Sequence, residues 1–512
     1  MLGEFQFTGT ATQLAITSLA DGRFAVTYQS SGDIHMEILD TRDNANAVGV
    51  YDGSAWQVGT IGNDVFTAFE AATNVHGYTG NDTITDGDRS NTVFGDAGND
   101  TILITSEIGS DGWFGGIGTD TIDWSASLQN NGVYNLTLGT ATNGGFTEIM
   151  QGFENFTGTA NMDMIIGTTA ANILTGGIGN DTVNGDAGAD TLFGSAGDDS
   201  LIGGSGNDIL SGGSGIDSIE GGIGNDQLIG GNSGDTYIVD AAGDIIVEVA
   251  GQGFDRVLAR VSYVLAADDD IETLQTISTG STTAINLTGN VLAQNLFGNA
   301  GANTLDGTGG ADTLRGHNGN DTLIVRNAAT ILIEGLGEGT ADRVLAAVSF
   351  NLAADDDIET LQTISSGSTA ALNLTGNALS QSLFGNAGAN QLDGREGQDT
   401  LTGAGGADRF VFATAIAPTN VDRITDFAHG VDKILLEGGF FTGIGNGGLL
   451  DSQFHAGASG QATSSTERII YETDTGHLWY DADGSNTAIA RVLFGTLTNV
   501  ATGLTASDFI VF

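Results

Sequence analysis

Residues 203–231 read GGSGNDILSGGSGIDSIEGGIGNDQLIGG. A Gly-Gly pair and an acid return every nine residues, with one aliphatic side chain between successive turns. Ordering such a stretch is costly, because glycine loses more conformational freedom on folding than any other residue. The return is one Ile, Leu or Val per unit, about 1.5–3 kcal/mol when buried, and a carboxylate in every unit adds repulsion. The stretch therefore calls for stabilisation from outside the chain.

Counted from the first glycine of each unit, position 6 is the acid and position 8 the aliphatic. The register runs without a slip from Gly158 to Ile238. Position 6 reads Asp163, Asn172, Asp181, Asp190, Asp199, Asp208, Asp217, Asp226 and Asp235; position 8 reads Ile165, Leu174, Val183, Leu192, Leu201, Leu210, Ile219, Leu228 and Tyr237. A nine-residue spacing fits neither an amphipathic helix nor an alternating strand of ordinary length. It predicts a short strand and a tight glycine turn, repeated. A flexible linker does not hold an aliphatic at one position through a long run, and a metal-free stack leaves the recurring acid unexplained.

Shorter runs flank this one. Residues 77–103 carry Asp82, Asn91 and Asp100 at position 6, and a lone unit at 115–123 carries Asp120. Residues 289–324 and 376–411 mix Gln294, Asn303, Gln381 and Asn390 with Asp312, Asp321, Asp399 and Asp408. A larger repeat encloses them: DRVLARVSYVLAADDDIETLQTISTGSTTAINLTGN at 255–290 returns at 342–377, a tandem duplication that argues for an extended stack.

The bulk composition agrees. The chain has 512 residues, 64 acids against 14 bases, a formal charge of −50 and a single lysine, Lys433. Such a surface repels nucleic acid and anionic lipid and suits hard cations, which take oxygen ligands. Cysteine is absent, which excludes disulfides and thiolate sites. The first twenty residues lack a basic region followed by an unbroken apolar run, so no Sec-type signal is read there, and no stretch is long enough to span a membrane.

Position 6 places a carboxylate at the end of each turn, where glycines at positive φ can turn backbone carbonyls inward beside it. Six to eight carboxylate and carbonyl oxygens in loose geometry suit Ca²⁺, whereas Mg²⁺ asks for a stricter octahedron with several waters. If successive units alternate sides of a flattened coil, each ion lies between turns two units apart. The expected pairs are Asp181/Asp199, Asp190/Asp208, Asp199/Asp217, Asp208/Asp226 and Asp217/Asp235.

These units resemble the GGxGxDxUx nonapeptide of RTX (repeats-in-toxin) proteins, closely over 158–238 and partially elsewhere. The resemblance implies an all-β fold, a right-handed parallel β-roll or β-solenoid with two nonapeptides per turn, multiple Ca²⁺ ions between turns, wider β-helical rungs and a C-terminal β cap. It assigns metal ligation to the position-6 side chains of Asp82, Asp100, Asp120, Asp163, Asp181, Asp190, Asp199, Asp208, Asp217, Asp226, Asp235, Asp312, Asp321, Asp399 and Asp408. It assigns carbonyl ligands to the first glycine of each unit, namely Gly176, Gly185, Gly194, Gly203, Gly212 and Gly221. Turns with Asn or Gln at position 6 are expected to stack without metal. Residues 405–436 and 469–512 look like the segment that ends many such proteins, capping the roll and carrying an uncleaved type I secretion signal. The resemblance thus implies an extracellular, secreted or cell-surface protein, with the secretion machinery, calcium and surface or matrix carbohydrate as partners.

On this reading the chain divides into a short β-meander (1–58), a first repeat run (59–123), a β insert or wider rungs (124–157), the main roll (158–238), two solenoid copies with repeat units (239–324 and 325–411) and the cap and secretion segment (412–512). The alternating residues Phe24, Val26 and Tyr28, then Ile34, Met36 and Ile38, mark the meander, with Asp21-Gly22 as its turn. The meander resembles a unit of the tandem β-repeats upstream in large RTX surface proteins, so the chain is expected to be the C-terminal part of a longer one or to descend from one.

Enzyme signatures are missing. The histidines (His35, His76, His317, His429, His455 and His477) are scattered without H-E-x-x-H, there is no G-x-S-x-G, and Lys433 follows Asp432, outside any Walker A loop. Asp268-Asp269-Asp270 and Asp355-Asp356-Asp357 read as solvated turns at rung corners, and DADGSN (481–486) as a hairpin turn, because Val492 stands where an EF-hand needs Glu. The expectation is a non-enzymatic calcium-binding surface, matrix or adhesion module. The alternative is the secretion and folding tail of an extracellular metalloprotease, lipase, lyase or epimerase.

Overall fold

The structure is a computed structural model. It describes residues 13–18, 24–30, 33–39, 50–51, 56–59, 61–68, 74–86, 91–105, 111–128, 131–143, 146–486, 488–499 and 502–512. Among them the backbone is strand and turn, apart from two single 3-10 turns at Asp451–Gln453 and Ala506–Asp508. No helix there is long and apolar enough to cross a membrane. The chain forms two compact units, Met1–Arg256 and Val257–Phe512.

In the first unit, Gln13–Ser18, Phe24–Ser30 and Asp33–Leu39 form an antiparallel meander. The Asp21-Gly22 turn lies outside the described residues. Beyond the meander and the antiparallel pair Val50–Tyr51 with Trp56–Val58, most of the pairing is parallel. Thr191–Ala196 pairs with Ile209–Ser214, and that strand with Gln227–Asn232; Ser200–Ser205 pairs with Ser218–Ile223, and that strand with Thr236–Val239. Partners lie 18 residues apart, as in Leu192↔Leu210 and Leu201↔Ile219. Successive nonapeptides therefore join alternate sheets, and one coil contains two of them.

The strand period of two explains the interior. With position 8 pointing inward, positions 7 and 9 point outward. Val183, Leu192, Leu201, Leu210, Ile219, Leu228 and Tyr237 are all fully buried, while their strand neighbours are partly exposed. The core is thus one side chain deep per strand. Closely stacked coils then need turns without side chains. At Gly204 (φ +107) and Gly206 (φ +147), a Cβ would run into the backbone of the coil before it.

Within residues 124–157, strands of 133–151 add antiparallel pairs to the parallel stack. Val133–Asn135, Thr140–Asn143 and Phe146–Gln151 pair antiparallel, while Val133–Asn135 also pairs in parallel with Met164–Ile166 and so rejoins the stack. Large rings fill the interior here: Trp113 to Trp124, Trp124 to Tyr134 and Tyr134 to Phe156, with centroids 5.3, 4.9 and 4.5 Å apart.

The second unit is built of parallel coils of unequal length. Thr304–Asp306 pairs with Thr322–Val325 at 18 residues, whereas Thr273–Thr276 pairs with Asn295–Phe297 at 22, and Tyr263–Val264 with Leu287–Thr288 at 24. The duplicate keeps these lengths in Thr360–Thr363 with Ser382–Phe384 and in Phe350–Asn351 with Asn373–Thr375. The central acids of the two Asp triplets are not solvated: Asp269 and Asp356 are buried and accept the N–H groups of Ala266 (2.9 Å) and Ala353 (2.7 Å), capping their turns. Towards the C-terminus, Ile469–Glu472, His477–Tyr480 and Val492–Leu497 form an antiparallel sheet whose Phe494 packs against Phe412 and Phe441. In DADGSN, Asp481 Oδ1 accepts the Gly484 N–H at 2.9 Å, within the connection between two of these strands.

Candidate metal centre

The expected aspartate pairs meet. The backbone N–H of each position-6 residue donates to Oδ1 of the position-6 carboxylate one coil later: Asp181 to Asp199, Asp190 to Asp208, Asp199 to Asp217, Asp208 to Asp226 and Asp217 to Asp235, each at 2.8 Å. Asp82 and Asp100, Asp100 and Asp120, and Asp163 and Asp181 join in the same way, also at 2.8 Å. Oδ1 thus locks one coil to the next, and Oδ2 is left over.

That second oxygen decides the chemistry. In Asp82, Asp100, Asp120, Asp181, Asp190, Asp199, Asp208, Asp217, Asp226, Asp235, Asp321 and Asp399 it is buried without a hydrogen-bond partner. Native structures rarely leave a buried acceptor so, and never cheaply. The position-1 glycines explain what it faces. The space a Cβ on Gly203 would take lies 2.6 Å from Asp208 Oδ2, and the same point at Gly185 and Gly194 lies 2.7 Å from the carbonyl oxygens of Gly203 and Gly212. Gly176, Gly212 and Gly221 likewise have the Asp Oδ2 of their own unit beside them. A carboxylate oxygen and a glycine carbonyl of the following coil therefore converge where no side chain fits.

Electrostatics point the same way. Burial, with neighbouring carboxylates adding to it, pushes Asp181, Asp190 and Asp235 up to about 7 and Asp217 and Asp226 to about 6; backbone N–H donation offsets part of this. Asp82, Asp321 and Asp408 rise to about 7, Asp100, Asp120 and Asp312 to about 6, Asp399 to about 8, and Asp199 and Asp208 rise as well. Among the described residues, no Arg, Lys or His forms an ion pair with Asp181, Asp190, Asp199, Asp208, Asp217 or Asp226. A hard cation would supply both the missing partner and the missing charge, and these oxygen donors fit Ca²⁺.

The amide turns at Gln294, Asn303, Gln381 and Asn390 solve the problem internally. Asn303 Oδ1 accepts the Asn299 N–H at 2.8 Å, and its Nδ2 donates to the Ile285 carbonyl at 2.8 Å. Asn390 repeats this with Asn386 (2.8 Å) and Leu372 (3.0 Å). Gln294 and Gln381 accept the N–H groups of Asn290 (3.0 Å) and Asn377 (3.2 Å). Asp312, Asp321, Asp399 and Asp408 consequently pair with an amide residue on one side: Gln294, Asn303, Gln381 and Asn390. Asp163 also differs from the other acids, because its Oδ2 accepts both the N–H (2.7 Å) and the hydroxyl (2.9 Å) of Thr159.

Some acids at these turns escaped the periodic count. Asp244 accepts from Asp226 N–H (3.2 Å), Asp255 from Asp235 (2.7 Å), Asp342 from Asp321 (2.7 Å), and Asp422 and Asp432 from Asp399 (3.1 Å) and Asp408 (2.9 Å). All but Asp244 sit 20 to 24 residues after their partners, so a fixed nine-residue ruler misses them. Asp226, Asp240 and Asp244 each bring one oxygen within 4.8 Å of the others, as do Asp235, Glu248 and Asp255.

Comparison with known families matches this geometry. The RTX calcium-binding nonapeptide repeat (4 copies) matches residues 76–103, 157–192, 185–219, 202–237, 211–246, 288–324 and 375–410. No curated protein matches the chain.

Proposed function

We propose that this chain, a β-solenoid carrying RTX calcium-binding nonapeptide repeats, binds Ca²⁺ through those repeats, is secreted, folds as it takes up the ion outside the cell, and serves as a non-enzymatic surface, matrix or adhesion module. One observation carries the reading: a column of buried aspartate oxygens without partners, facing glycine carbonyls of the next coil.

Ligation would act on folding itself, because the site needs two adjacent coils in register and does not exist in the extended chain. Extracellular modules hold Ca²⁺ with Kd of about 10⁻⁴–10⁻³ M, or about 4–5.5 kcal/mol per ion. With a charge of −50, the chain repels itself while Ca²⁺ is scarce, which favours a threadable form before export.

The test is a Ca²⁺ titration of the chelated chain by calorimetry and far-UV circular dichroism. Uptake of several ions, with β signal rising in step, is the expected result. A spectrum indifferent to both chelator and millimolar Ca²⁺ overturns the calcium-driven folding on which the reading depends.

A further inference from the structure

Two coils break the nonapeptide pattern in the same way. Eighteen residues after the position-1 glycines Gly230 and Gly316 stand Glu248 and Glu334, where the main run has glycine. Both glutamates are buried, 6% and 2% exposed, after the short strands Ile245–Val247 and Ile331–Leu332. The same coils end on Asp255 and Asp342, each locked to the preceding position-6 aspartate at 2.7 Å. The constellations Asp235, Glu248, Asp255 and Asp321, Glu334, Asp342 thus share a topology and nearly a spacing, one in each unit of the molecule.

Each contains at least one buried carboxylate oxygen without a hydrogen-bond partner. Around Glu248, one oxygen from each of the three buried carboxylates lies within 4.8 Å of the other two. Asp235, 1% exposed, contributes an Oδ2 without a hydrogen-bond partner. The Tyr237 hydroxyl donates to Glu248 Oε2 and, with Asp235 Oδ2, borders the space beside Gly230. Around Glu334 the three carboxylates are not gathered within 4.8 Å as those around Glu248 are, but three of their oxygens are buried and unpartnered: Glu334 Oε1, Asp321 Oδ2 and Asp342 Oδ2. Glu334 Oε2 accepts the Gly316 N–H at 3.2 Å, which fixes the side chain over the turn. Burial, with Asp342 and Asp321 adding to it, pushes Glu334 up to about 8.

We propose that Glu248 and Glu334 each complete a three-carboxylate Ca²⁺ site that binds more tightly than the two-carboxylate turns of the main run. A glutamate takes the sequence position where the ordinary turn offers a neutral glycine carbonyl, and the donor set gains a full negative charge. Ligand charge is one of the quantities that tunes Ca²⁺ affinity across several orders of magnitude. The two sites are the anchors at which ion uptake begins. This inference rests on the calcium-binding reading above.

The full chain is titrated with Ca²⁺ by calorimetry, alongside Glu248→Gln, Glu334→Gln and, as a comparison, Asp208→Asn. The expected result is a tight class of ions in the wild type that loses one member in each glutamine variant, with affinity at that site falling roughly tenfold or more, while Asp208→Asn spares the tight class. A wild type that binds no Ca²⁺ overturns the whole calcium reading; a wild type that binds, with glutamine variants indistinguishable from it, overturns this inference alone. A second readout covers a variant that fails to fold. Tb³⁺ bound beside Glu248 should be sensitised by Tyr237, so Tyr237→Phe should remove the first tyrosine-excited emission of the titration without removing Tb³⁺ uptake. Unchanged early emission contradicts the site.

Discussion

The coils at 176–235 and those at 289–306 and 376–393 share a backbone plan and differ in one atom type. Both stack at 18 residues and bury one aliphatic per strand: Leu192 under Leu210 in one region, Leu305 under Leu323 and Leu374 under Leu392 in the other. In the first, position 6 is a carboxylate whose Oδ2 has no partner; in the second it is an amide joined to an Asn four residues earlier and, at Asn303 and Asn390, to a carbonyl of the coil before. The same turn can therefore be closed by an ion or by an NH₂ group. The amide version is complete as the chain folds, and the carboxylate version is complete only with a cation.

The largest expected consequence is regional. Chelation should abolish amide protection across 182–238 in hydrogen exchange and leave the amides of Asn295–Phe297 and Ser382–Phe384 protected. Equal loss in both regions would erase the distinction between the two kinds of turn. Next in size is the removal of single ligands. Asp199→Ala or Asp208→Ala should each delete a site shared by two acids, costing about 2.7 kcal/mol of stability when Ca²⁺ exceeds Kd a hundredfold. Asp312→Ala should cost less, because its partner across the coil is Gln294; equal losses in calorimetry and melting would refute the pairing.

Exchanging the two chemistries sharpens the contrast further. Asp208→Asn should stabilise the chelated chain and destabilise the calcium-loaded one. Asn303→Asp should cost about 1–3 kcal/mol in chelator, since it sets a second acceptor against the Ile285 carbonyl. A melting series in both conditions reads the two signs, and a change of the same sign for Asp208→Asn in both would contradict the account. The smallest effect is pH dependence. Folded Asp181, Asp190 and Asp235 titrate near 7, above the ordinary value of 3.8, so the chelated fold holds more protons than the unfolded chain. Their contribution is fully present below about pH 4 and is lost as pH rises through 7. With Ca²⁺ bound the sign reverses, and uptake at pH 6 should release protons, measurable by calorimetry in buffers of different ionisation enthalpy.

Much of this was legible in the sequence because the repeat is rigid. A nine-residue period with one aliphatic predicts the short strand, and alternation between two sheets predicts the pairing of Asp181 with Asp199 or Asp208 with Asp226, as observed. The failures cluster where the ruler slips. Asp255 and Asp342 follow coils lengthened by two or three residues, so their equivalence to turn positions emerges only from hydrogen-bond register. Glu248 and Glu334, by contrast, fall on the ruler, eighteen residues after Gly230 and Gly316, but at position 1, where the repeat calls for glycine. Asp163 looked like any other position-6 acid until Thr159 was seen to satisfy it, although Thr in place of glycine at position 2 was a visible signal. The antiparallel strands of 133–151 left no periodic trace, and Asp269 and Asp356, read as solvated, turned out to cap their turns from within.

The most direct test is diffraction from crystals grown in millimolar Ca²⁺, with anomalous signal collected at a wavelength where calcium scatters. The account predicts a row of calcium peaks between successive coils along Asp181–Asp235, each touching aspartate Oδ2 and a glycine carbonyl. Aspartates turned out to water, with no calcium between the coils, would contradict it.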